Sequence, residues 1–76
     1  MEKIMEILKE LRPEFDFSDS EDFIEDGYLD SFDLVTLVAE LDETFGISID
    51  GLDVVPENFM TVETIANVVR NNGGNL

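Results

Sequence analysis

The residues able to do chemistry in this chain are almost all oxygen donors. Nineteen Asp and Glu stand against four Lys and Arg, a formal net charge of −15, with no histidine and no cysteine in 76 residues. Without imidazole there is no His general base, no Ser-His nucleophilic pair and no His-containing metal site. Without thiols there is neither a disulfide nor a thiolate metal centre. Carboxylates and hydroxyls remain, and two stand together at Asp30-Ser31, followed by Asp33. Asp30 is placed to accept bonds from the unpaired amides of a helix's first turn. Asp33 then acts as the second partner of a capping box, with Asp in place of the usual Glu. Read locally, this is helix capping and nothing more specific. A hydroxyl held there also lies beside unpaired amides and the positive end of a helix dipole.

The other carboxylate patterns are weaker. Asp22-Phe23-Ile24-Glu25-Asp26-Gly27 has the acids and glycine of a calcium loop. However, Ile24 falls where an oxygen ligand is needed and Asp33 replaces the bidentate Glu, so no metal site is expected. A paired-carboxylate hydrolase needs a buried cleft, for which so small a domain has little room. The chain is therefore not expected to be an enzyme.

Length and charge narrow the partners. A single domain over residues 1–76 is expected, burying roughly 60–65% of its surface around one modest core. The apolar share of 43% is that of a globular chain. A field of this sign repels phosphate backbones and anionic headgroups, so no nucleic acid and no membrane insertion are expected. It attracts proteins with basic patches. No apolar run reaches the length of a span, and the N-terminus lacks the basic and apolar regions of a signal peptide. A cytoplasmic monomer is expected.

The elements that must position Asp30 and Ser31 follow from periodicity. Ile4, Met5, Ile7, Leu8 and Leu11 recur at helical spacing, and Pro13 ends that helix near Leu11. Residues 13–30 form a long acidic connection. Phe23, Ile24 and Leu29 are expected to pin it to the helices, with a short turn near 20–24 and with Phe17, Phe23 and Tyr28 as loop anchors. From Ser31 to Phe45, Leu34, Leu37, Val38, Leu41 and Phe45 share one stripe. Asp33, Thr36, Glu40, Glu43 and Thr44 share the opposite stripe, and Gly46 supplies a C-terminal stop. Ile47-Ser48-Ile49 alternates like a strand but has nothing to pair with, so it reads as an extended connector. Val55 to Phe59 suits one helical turn with proline first. Thr61 caps a last helix that turns Val62, Ile65, Ala66, Val68 and Val69 inward, and residues 71–76 read as a flexible tail. The expectation is an all-α, small four-helix bundle: three main helices plus one short helix, with the long loop between helices 1 and 2.

With that layout in place, Asp26-Gly27-Tyr28-Leu29-Asp30-Ser31-Phe32 resembles the prosthetic-group attachment motif of the acyl carrier protein superfamily. Leu34 to Phe45 resembles the family's second helix, Ile47-Ser48-Ile49 the segment after it, and Thr61-Val62-Glu63-Thr64-Ile65 the start of its last helix. Residues 2 to 70 can be laid along the family; Phe32 stands where Leu or Met is commoner. The resemblance implies 4'-phosphopantetheine carried on Ser31, attached by a phosphopantetheinyl transferase that uses magnesium and coenzyme A. It implies that Asp30 orients the site and assists the transfer. Asp33, Glu40, Asp42 and Glu43 would form an acidic face for acyl-loading and acyl-transferring enzymes with basic docking patches, and Leu34 and Phe32 would add apolar contact. Val35, Val38, Leu41, Phe59 and Ile65 would belong to a core that parts around a bound chain. The implied function is an acyl or aminoacyl thioester carrier, as in fatty-acid or polyketide biosynthesis. Leu29-Asp30-Ser31 also resembles D-alanyl and other specialised carriers. Two plainer readings stand beside it: an acidic helical adaptor that is never modified, and an acidic stripe that is only a solvated helix face.

Overall fold

A computed structural model describes residues 2–76. Three α-helices follow one another, α1 (Glu2–Leu11), α2 (Ser31–Phe45) and α3 (Val62–Asn71), with short 3-10 turns at Phe17–Asp19, Gly51–Asp53 and Pro56–Phe59. There is no strand among the described residues. The expected all-α fold with one long first loop is what forms, and the fourth helix is the single 3-10 turn at Pro56–Phe59, begun by its proline.

Each helix ends where local chemistry stops it. The last helical bond of α1 runs from the Arg12 N–H to the Leu8 carbonyl, 2.9 Å, and Pro13 follows. In α2 both halves of the Asp30/Asp33 capping box are made, and Gly46 closes the other end in left-handed geometry, φ 65°. Thr61 and Thr64 make the same reciprocal box at the start of α3. Ile47–Ile49 forms no strand, as expected.

The core gathers Ile4, Ile7 and Leu8 from α1, Leu34, Leu37 and Leu41 from α2, and Ile65, Ala66, Val68 and Val69 from α3, closed by Phe59. The long loop joins it through Phe17, Phe23 and Leu29, all buried, and the Phe23 N–H donates to the Met60 carbonyl at 2.7 Å. Phe17 sets its edge against Phe23 (5.0 Å) and against Tyr28 (5.5 Å), while Phe15 stacks on Tyr28 at 4.4 Å. Such pairs are worth about 0.5–1.5 kcal/mol each beyond area burial, which helps hold an acidic loop that has little regular structure. Phe17, Phe23 and Tyr28 thus anchor the loop.

The loop turns twice. A 3-10 turn forms at Phe17–Asp19, where the Asp16 carboxylate accepts the Ser18 N–H. The turn expected near 20–24 follows it, with Asp22 accepting the Ile24 and Glu25 amides. One expectation about the core is corrected. Val35, expected in the core, is 69% exposed, because it stands 100° around the helix from Leu34 and clears the buried stripe. Near the end of the chain Asn72 accepts the Asp50 N–H and donates to Asp53 Oδ2, and the Gly74 N–H reaches the Val69 carbonyl.

Candidate functional site

The first turn of α2 is built from both ends of the long loop. Asp30 Oδ1 accepts the Asp33 N–H at 2.9 Å, and Asp33 Oδ2 accepts the Asp30 N–H at 3.1 Å. These two carboxylates complete the cap, so the hydroxyl of Ser31, the first helical residue and an exposed one, is left outside it. Phe32 beside it is 81% exposed.

Arg12, at the far end of the loop, closes the arrangement. Its Nε and Nη2 donate to Asp33 Oδ2 at 3.1 and 2.9 Å, its Nη2 lies 3.8 Å from Asp30 Oδ2, and its Nη1 reaches Glu14 at 3.3 Å. The hydrogen bond to Asp33 is the main influence raising the Arg12 pKa above its ordinary value, and the guanidinium stays charged. Asp30 moves the other way. The backbone N–H of Asp33 is the first cause of its lowered pKa, outweighing partial burial, with the Phe32 N–H and the charge of Arg12 adding to it. Asp30 is thus an ionised, exposed carboxylate next to an exposed serine at the positive end of a helix. A phosphodiester on that hydroxyl would lie at the positive end of the helix dipole, an effect of about 0.3–1 kcal/mol at an exposed terminus.

This geometry accompanies a sequence match over nearly the whole chain: the model of the phosphopantetheine attachment site family covers residues 2–70. The chain belongs to that family. No curated protein and no solved structure matches it. Phosphopantetheine attachment domains hold 4'-phosphopantetheine covalently and act as carriers rather than catalysts. The residues present fit the group: a solvent-facing hydroxyl, not used by the cap, and a helix terminus suited to an anion. When bound, the group supplies a thiol on a flexible arm, which this cysteine-free chain has no other means to provide.

The structure divides the expected docking residues. Glu40 and Glu43 are exposed on α2. Asp42 is half-buried, and its Oδ1 accepts the Ile49 N–H at 2.9 Å, so it ties the connector to the helix. Asp33 is only 7% exposed and is turned in by Arg12, and Leu34 is 4% exposed in the core. Both are therefore unlike the surface residues expected of them. Charge alone suggested that Asp33 faces water; a cation brought by the fold reverses that. Arg12 is the site residue that sequence reasoning missed, and the sole local hint was a basic residue beside the proline that ends α1. The exposed apolar residues next to Ser31 are Phe32 and Val35. No helix among the described residues is long and apolar enough to cross a membrane.

Proposed function

We propose that Ser31 is the attachment point and that the chain is a discrete carrier, presenting an acyl or aminoacyl thioester to successive enzymes. The observation that carries this reading is the separation of roles at the head of α2: Asp30 and Asp33 satisfy the cap, and Ser31 stands exposed beside them. A phosphopantetheinyl transferase using magnesium and coenzyme A would modify it, with Asp30 orienting the acceptor and assisting the metal-dependent step.

Docking would use the exposed side of α2. Glu40 and Glu43 supply charge for basic patches on loading and transferring enzymes, and Phe32 and Val35 supply apolar contact next to the modified residue. Single exposed ion pairs contribute only about 0–1 kcal/mol, so contacts of this kind are weak and rapidly reversed. That suits a shuttle in the cytoplasm that must release each partner, with net charge raising encounter rate more than residence time.

The test is intact mass after incubation with coenzyme A and a broad-specificity transferase, followed by peptide mapping. One phosphopantetheine on Ser31, and none on Ser31→Ala, is the expected result. A chain that stays unmodified, or one modified elsewhere, overturns the reading and leaves an acidic adaptor. Cargo is read by loading the modified protein in lysate and identifying the thioester by mass spectrometry. D-alanine would place it with the D-alanyl carriers, and a fatty acyl or polyketide group with lipid or polyketide synthesis.

A further inference from the structure

Arg12 makes all three ion pairs among the described residues, and two of its partners are the carboxylates of the α2 cap. The pairing spans 21 positions of sequence, so only the return of the long loop to α1 creates it. One oxygen, Asp33 Oδ2, accepts from Arg12 Nε, Arg12 Nη2 and the Asp30 N–H together. Asp33 is nearly out of water, and a carboxylate in that setting needs a counter-charge. Without Arg12 it would turn toward solvent, taking its oxygen from the Asp30 N–H and opening half of the capping box. Asp30 directly precedes Ser31, so its backbone sets how the acceptor hydroxyl is presented.

We propose that Arg12 is a positioning residue for modification at Ser31, acting through Asp33, an inference that rests on Ser31 being the attachment point. The reaction forms a bond from Ser31 Oγ to the phosphorus of the pantetheine phosphate in coenzyme A. The bond from that phosphorus to the nucleotide's phosphate oxygen breaks, and the serine proton is released. Such a step is sensitive to the direction of the attacking oxygen. Arg12 has a second effect of the same sign. The donor is a polyanion approaching a chain of net charge −15, and Arg12 offsets the two carboxylates nearest the acceptor.

Arg12→Met keeps the length and apolar stem while removing the charge and the fork. The first readout needs no reaction: amide hydrogen exchange in unmodified protein. The Asp30 and Asp33 amides are expected to exchange about tenfold faster in the variant, relative to the change at Leu37 and Leu41, because the cap opens locally. The second is transferase kinetics under conditions where a urea curve shows both proteins folded. A kcat lowered by about ten- to a hundredfold is expected from lost orientation, with the KM for the carrier changed less than about threefold. Arg12→Lys, a point charge without the fork, should recover part of the loss. Asp33→Asn placed in the Arg12→Met background should also recover part, since a neutral amide can stay buried and still accept the Asp30 N–H. Unchanged exchange at Asp30 and Asp33, or wild-type kinetics in Arg12→Met, overturns the inference while the Ser31 assignment stands. A wild-type chain that cannot be modified sinks the Ser31 assignment itself, and this inference with it.

Discussion

Leu41 and Val35 offer the sharpest test of how α2 is seated, because both are aliphatic residues on one helix and the fold treats them oppositely. Leu41 is fully buried, whereas Val35 is 69% exposed. Leu41→Ala removes three buried carbons, which at about 0.8 kcal/mol each is a transfer loss of about 2.4 kcal/mol. The unfilled space adds a cavity penalty that places the total at about 2–5 kcal/mol. At the usual stability per residue, a 76-residue domain has only about 4–11 kcal/mol in all. A loss of about 3 kcal/mol would lower Tm by about 12–24 °C at the sensitivity of a domain this size. Val35→Ala removes atoms already in water and replaces a β-branched residue with the best helix former. Its expected effect is between neutral and about 0.6 kcal/mol stabilising. The assay is urea unfolding followed by circular dichroism, in unmodified protein at fixed salt. The midpoint should fall sharply for Leu41→Ala and hold or rise for Val35→Ala, with m unchanged in both. A loss above about 1 kcal/mol for Val35→Ala would refute the seating of the helix, since surface changes usually stay within about 0.5 kcal/mol. Near-neutral behaviour of Leu41→Ala would refute it from the other side.

Other outcomes follow from charge and backbone geometry. Self-repulsion at −15 opposes compaction, so moderate sodium or magnesium chloride should raise Tm, and a flat or falling trend would count against that account. The folded-state pKa of Asp30 is lowered, so the stability from its charge is complete above the usual aspartate pKa of about 3.9 and is lost as pH falls through the folded value. The difference in unfolding free energy between wild type and Asp30→Asn, taken as wild type minus variant, should therefore decrease as pH drops from neutral to strongly acidic. An increase would mean that the sign is wrong. Gly46 sits at φ 65°, so Gly46→Ala should cost about 1 kcal/mol, the left-handed penalty being partly offset by a less flexible unfolded chain. A stabilised Gly46→Ala protein would show that the α2 terminus is misassigned.

Whatever is settled within a few residues could be read from the order of amino acids alone. Asp30 and Asp33 at the head of α2, Thr61 at the head of α3, Pro13 after α1, Gly46 after α2 and Pro56 opening its 3-10 turn act on their own segment of backbone. Their roles were therefore legible before any packing was known. The place of Ser31 as the first residue of α2 belongs with them, because the Asp30 cap beside it fixes where the helix begins. Tertiary structure decided the groups whose partners are far along the chain. Asp33 faces inward only because Arg12 comes back to meet it, and Val35 faces water only because the buried stripe of α2 is centred on Leu34, Leu37 and Leu41. Asp42, which reads as surface charge, is drawn to the Ile49 amide, and Asn72, in an expected tail, is bound to Asp50 and Asp53. The physical reason is the same in each case. A cap is paid in hydrogen bonds from the adjacent turn, whereas the direction of a charged or amphipathic side chain depends on which group the fold places opposite it.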